Sequence, residues 1–88
     1  MSGDPKDFKG RDLNGAEMFG VNLQNAKMLF ADLSGAFMGG VKLVGADLTG
    51  AIMTGTDLGD ADLTGADLTG AVLTDVTWPK GWKLVRDE

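Results

Sequence analysis

The 88-residue sequence predicts a solenoid, a stack of short repeating units, and three observations predict it. Every fifth residue from Phe8 to Trp78 is large and apolar without a break: Leu at nine places, Met at 18, 28, 38 and 53, and aromatic only at the two ends. Two residues before each of these centres the side chain is small, Ala at nine places, Val at 21, 41 and 76, and Thr at 56, with Lys6 and Arg11 as the exceptions. Two residues after each centre stands Gly in ten repeats, and Asn25, Phe30, Asp60, Asp75 and Lys80 in the others.

A period of five matches neither the 3.6 of an α-helix nor the 2 of a strand, so neither element can run on while keeping one face buried. The chain must turn once per repeat. Glycine supplies the positive φ that a type II turn requires at its third residue, and Asn or Asp tolerates it next best. Phe30 and Lys80 are the two slots that this rule does not explain. Periodicity of this kind marks units that cannot bury an apolar face alone but can do so when stacked.

The repeat Ala-Asp-Leu-Thr-Gly, at 46–50, 61–65 and 66–70, resembles the pentapeptide repeat family, and the resemblance runs through fifteen registers over residues 6–80. It implies an all-β chain, a right-handed quadrilateral β-helix (solenoid) with four repeats per coil and just under four coils. The centre and the small residue before it would point inward, and residues twenty apart would stack. The inward columns then read Phe8, Met28, Leu48, Leu68; Leu13, Leu33, Met53, Leu73; Met18, Met38, Leu58, Trp78; and Leu23, Leu43, Leu63. In these columns the Met residues are core filler, since an unbranched side chain fits irregular space.

The implied organisation is an N-terminal lead over 1–5, the β-helix over 6–80 and a capping tail over 81–88. Stacked coils leave unpaired backbone at both ends, which invites association unless covered. At the C-terminal end Trp78, Pro79 and Trp82 form the expected cap, because proline cannot donate a ladder bond and family members close with a similar Trp-Pro-x-Gly-aromatic segment. The lead is too short for a capping helix, so the first coil is the expected oligomer surface.

Residue content narrows the chemistry. There is no His, Cys or Tyr, which removes the usual general base, thiol nucleophile and transition-metal ligands, so no catalytic residue, cofactor or metal is expected. The acids at 57, 60 and 62 are spaced 1, 4, 6, not the 1, 3, 5 of a calcium loop. Gly-Ala-Asp-Leu-Thr-Gly lacks the Lys-Ser or Lys-Thr of a phosphate loop. With no apolar run of membrane length and no charged-then-apolar leader, the expected location is cytoplasmic.

Charge is uneven. The net charge is −5, yet residues 1–42 balance five acids with five bases, while residues 43–79 hold six acids and no base. Such a stretch disfavours direct nucleic-acid binding and favours a basic protein surface. The resemblance adds an alternative, since some pentapeptide repeat proteins mimic duplex DNA and occupy DNA gyrase. An acidic DNA-mimic inhibitor of a DNA-handling enzyme would here rest on Asp47, Asp57, Asp60, Asp62, Asp67 and Asp75.

A second departure is apolar. Positions flanking the centres should face solvent, yet they hold Phe19, Leu29, Phe37 and Val44, and Phe30 fills a turn slot. By the twenty-residue rule Phe19 and Phe37 share one face, Leu29 and Phe30 a neighbouring one, and Ile52 and Val72 a third. Contiguous exposed apolar surface marks an interface. The expected function is therefore a non-catalytic structural or scaffold module that binds protein through the surface of its repeats, as a homo-oligomer or a small subunit of a larger assembly.

Overall fold

The computed structural model describes residues 6–83; the lead 1–5 and residues 84–88 of the capping tail lie outside the described residues. The five-residue beat builds the coil as expected. Parallel bridges join residues twenty apart, from Asp7 to Lys27, Lys27 to Asp47 and Asp47 to Asp67, and likewise through eleven such pairs. Each repeat contributes one bridged residue to its wall, so the described residues hold isolated bridges and no extended strand. The turn follows too soon for a longer ladder to form.

Four walls follow one another around the coil. The first carries the repeats centred on Phe8, Met28, Leu48 and Leu68, and the second those on Leu13, Leu33, Met53 and Leu73. The third carries Met18, Met38, Leu58 and Trp78, and the fourth Leu23, Leu43 and Leu63. Two hydrogen bonds flank each bridge: Met28 N–H donates to the Asp47 carbonyl at 2.8 Å, and Asp47 N–H donates to the Ala26 carbonyl at 2.9 Å. A third ties the corners, as where Gly50 N–H donates to the Thr69 carbonyl at 2.9 Å.

The corners from Gly10 to Gly70 close on themselves. The N–H of the small residue donates to the carbonyl of the preceding centre, as Ala51 does to Leu48 at 3.0 Å, and the residue between them takes positive φ. Fourteen consecutive slots do so, from Gly10 to Asp75. Phe30 obeys despite its bulk, at φ 59°.

Lys80 does not. The fifteenth repeat keeps its bridge, Asp57 to Thr77, but the left-handed residue is Gly81 at φ 88°, and Trp82 N–H donates to the Pro79 carbonyl at 3.0 Å. The turn has slipped by one residue because a glycine next door takes the left-handed region without the cost a lysine would incur. Fourteen repeats, not fifteen, therefore keep the left-handed corner in its slot. Trp78 packs half-buried against the core, Pro79 is buried, and Trp82 lies half-exposed beyond the slipped turn.

The core is the interior of the coil. Leu23 to Leu63 are buried at every centre, with the small residues from Ala26 to Ala61 buried beside them, whereas Val21 is exposed and Phe8, Leu13 and Met18 at one end and Leu68, Leu73 and Trp78 at the other are partly covered. Thr56 is the buried polar residue in a small slot, and its hydroxyl donates to the Leu33 carbonyl at 2.6 Å. Lys6 and Arg11 also depart from the small-residue rule, and both stand in the first described coil. The Lys6 ammonium donates to the Gln24 carbonyl at 3.0 Å, and the Arg11 guanidinium lies 5.2 Å from the centre of the Phe8 ring.

Because burial peaks in the middle coils, Leu43→Ala should cost about 3 kcal/mol of unfolding free energy, and Leu73→Ala about half of that. Urea denaturation of the two variants checks the ranking; equal losses would mean that the stack is no better packed at its centre than at its end.

Candidate functional site

The outward face of each wall has its own rule. An Asp or Asn just before the centre accepts, through Oδ1, the backbone N–H of the residue just after it. Asp7 does so for Lys9 at 3.1 Å; Asp12, Asn22, Asp32, Asp47, Asp62 and Asp67 do so for Asn14, Gln24, Ser34, Thr49, Thr64 and Thr69 at 3.0 Å; and Asp57 does so for Gly59 at 2.9 Å. This N–H points out of the coil, away from any ladder acceptor, and the short side chain reaches it locally. The hydroxyls of Thr49, Thr64 and Thr69 donate to the same oxygens at 2.6, 2.7 and 2.6 Å.

These bonds favour the ionised carboxylate. The Thr64 hydroxyl and N–H, with Lys42 nearby, hold Asp62 below the ordinary carboxyl value; the Thr69 hydroxyl and N–H do the same for Asp67. For Asp32 the Ser34 N–H leads and the Ser34 hydroxyl follows.

The six acids of the acidic stretch thus each have a structural place. Asp47, Asp57, Asp62 and Asp67 cap their own turns, and Asp60 and Asp75 occupy left-handed corners at φ 60° and 59°. They are also dispersed. Asp47 and Asp67 stand on the first wall, Asp75 on the second, Asp57 and Asp60 on the third and Asp62 on the fourth.

The apolar set divides as well. Phe19 and Phe37 come together on the third wall, 61 % and 45 % exposed, with ring centres 6.0 Å apart and planes tilted by 31°. Leu29 and Phe30 lie on the first wall, Phe30 60 % exposed at the corner leading to the second. Val44 stands on the fourth wall, half-buried. The expectation that the two pairs sit on neighbouring faces is corrected: sixteen-to-twenty and six-to-ten are two repeats apart on a four-walled coil, hence opposite. Ile52 and Val72 bridge directly on the second wall as expected.

Two residues that sequence reasoning passed over hold these rings in place. A Cβ on Gly39 would sit 3.3 Å from Phe19 Cδ1, and one on Gly50 would sit 2.5 and 2.6 Å from Phe30 Cε1 and Cδ1. Each phenyl ring leans along the stack onto a glycine of the next coil. The signal was present in the sequence, since 39 is 19 plus one coil and 50 is 30 plus one coil. Among the described residues no pocket opens, and no three His, Cys, Asp or Glu side chains gather as a metal would need.

A sequence model described as pentapeptide repeats (8 copies) matches residues 7–40 and 42–77. The chain belongs to the pentapeptide repeat family. Among solved structures it is similar to a pentapeptide repeat protein from the thylakoid lumen of Arabidopsis thaliana, at 38 % identity and a TM-score of 0.79 over 82 % of this chain and 50 % of that one. It is also similar to HetL, a pentapeptide repeat protein involved in heterocyst differentiation regulation in the cyanobacterium Nostoc sp. strain PCC 7120, at 33 % identity and a TM-score of 0.57 over 86 % of this chain and 42 % of that one. The chain thus spans half or less of the length of these pentapeptide repeat proteins. A search of curated proteins returned no match.

Two outcomes are expected of this surface. The lowered carboxyl values mean that the stabilisation from Asp32, Asp62 and Asp67 is complete at neutral pH, above the unfolded value, and is lost as the pH falls through the folded one. The drop in urea midpoint between neutral pH and pH below about 4 should therefore be smaller in the triple variant Asp32→Asn, Asp62→Asn, Asp67→Asn than in the parent; an unchanged drop would refute it. Gly50→Ala should destabilise by more than Gly55→Ala, because both strain a left-handed corner but only Gly50 lies under a ring. Adding Phe30→Gly to each should erase the difference, as thermal melts of the four variants would show.

Proposed function

We infer that this pentapeptide repeat chain is a non-catalytic scaffold that binds protein through the outer surface of a right-handed coil, as a homo-oligomer or as a small subunit of a larger assembly. The observation that carries this reading is Phe30. A bulky aromatic in the left-handed region costs on the order of 1 to 2 kcal/mol, and exposure returns little of it through burial. Ten other corners of this chain use glycine at no such cost. An exposed ring kept at a strained position is best explained by what it touches outside the chain, and the exposed Phe19 and Phe37 add to the same account.

Mimicry of nucleic acid draws less support. Its six acids are spread over four walls, and each already serves its own turn or corner.

Phe30→Gly should leave the fold intact and raise its stability by up to about 1 kcal/mol, because glycine removes the left-handed penalty. Chemical denaturation decides it. A loss of more than about 1 kcal/mol would make Phe30 a plug over Gly50 that serves stability, and the reading would lose its main support.

A further inference from the structure

On the third wall the coils around the aromatic pair are free of bases, and its one Lys, Lys80, stands beyond them in the last repeat. Its first three coils, residues 16–20, 36–40 and 56–60, carry Glu17, Asp57 and Asp60 and no Lys or Arg. The first wall has Lys6, Lys9 and Lys27, the second has Arg11, and the fourth has Lys42. On the third wall the bridges set Glu17, Phe37, Asp57 and Thr77 in one column, so the Phe37 ring lies between two carboxylates one coil away on either side. The Phe19 ring lies over Gly39 and against Phe37, and Gly59 in the next coil carries no side chain to cover them from below.

An aromatic pair rimmed only by acids is matched by one kind of surface. Carboxylates attract a cation, and the electron-rich faces of two exposed phenyl rings attract it again once they exclude water. Apolar area beside the cation is needed to use the rings themselves. A second copy presenting the same wall would instead bring Glu17, Asp57 and Asp60 against their equivalents, an arrangement that like charge opposes. We propose that the Phe19–Phe37 platform of the third wall docks a basic, apolar protein segment, in which Arg or Lys side chains flank an aliphatic or aromatic residue. The residues in named roles are Phe19 and Phe37 as the apolar seat, Gly39 and Gly59 as the clearance that lets the rings lie flat and be reached, and Glu17, Asp57 and Asp60 as the charge that selects a cation. This rests on the protein-binding reading above and specifies its partner.

Three short synthetic peptides test it by amide chemical shifts of the full chain: one alternating Arg and Leu, one alternating Glu and Leu, and one alternating Arg and Ser. The Arg-Leu peptide should bind most tightly and should shift the amides of Phe19, Phe37, Gly39 and Gly59. Phe37→Thr should weaken it by at least about tenfold, and so should the combination Glu17→Gln, Asp57→Asn, Asp60→Asn. These changes spare the fold, because Thr77 stands in the same column as Phe37, Asn22 caps its turn as Asp57 does, and Asn25 holds a left-handed corner as Asp60 does. Equal binding of the Glu-Leu peptide would overturn the charge argument, and equal binding of the Arg-Ser peptide would overturn the aromatic one. Shifts confined to Leu29 and Phe30, or a dimer that buries the third wall, would overturn the proposal and leave protein binding standing. No shift from any peptide would overturn the proposal, and the Phe30→Gly measurement would then judge the broader reading separately.

Discussion

The left-handed corner is the constraint on which everything else in this molecule rests. A square coil needs the chain to change direction every five residues, and here the bend is made by one residue at φ near 60 to 71° in fourteen successive repeats. That conformation excludes most side chains, which sets the glycine beat, and it aims the next small residue inward, which sets the alanine beat. Only when every corner closes in the same five residues do positions twenty apart come into bridge register. A slip at one corner would shift all later walls. The chain permits one slip, from Lys80 to Gly81, and it falls after the last complete repeat, where no described coil depends on it.

The same constraint creates a polar debt outside the coil. Turning at the corner leaves one N–H per repeat directed at solvent, beyond the ladder, and an Asp or Asn two residues back satisfies it in eight repeats. This explains why the repeat prefers Asp or Asn before the centre and Ser or Thr after it, since the hydroxyl donates to the same carboxylate. Charge in the lower coils is therefore in good part a by-product of capping. Asp47, Asp62 and Asp67 are acidic because their turns need an acceptor, and the net −5 follows without any partner being invoked.

What the sequence made legible was everything that repeats. The inward columns, the twenty-residue stacking, the Phe19–Phe37 adjacency and the Ile52–Val72 pair can be derived by counting in fives and twenties, because a solenoid turns position in sequence directly into position in space. Two kinds of feature resisted. Counting does not reveal whether an unfavourable residue will be forced into its slot or bypassed. Phe30 was forced because the repeats after it fix the register, whereas Lys80 was bypassed because glycine was available one step on. Counting also said little about the aspartates, whose placement before each centre fits a solvated surface as well as a cap; the i to i+2 reach of a short carboxylate was the clue.

The departures are not independent of one another. Leu29, Gly39 and Val44 follow Lys27, Phe37 and Lys42, none of which can accept a hydrogen bond from the turn N–H, and Phe19 follows Glu17, for which the structure records no such cap. Thus the repeats that carry the outward apolar residues of the first two coils are also repeats that lack the local cap. Each gives up a charge-assisted bond and, in exchange, presents an apolar side chain beside an exposed backbone donor. Selection for stability alone would remove this combination, because Asp at those positions fits the coil without disturbing a single inward contact. A scaffold built from identical stable units can acquire specificity only by spoiling some of them, and the outer surface is where that costs the core nothing. The third wall is where the spoiling is most concentrated: two exposed rings in adjacent coils, glycines at 39 and 59 in place of side chains after the centres, and carboxylates as its sole charges until Lys80.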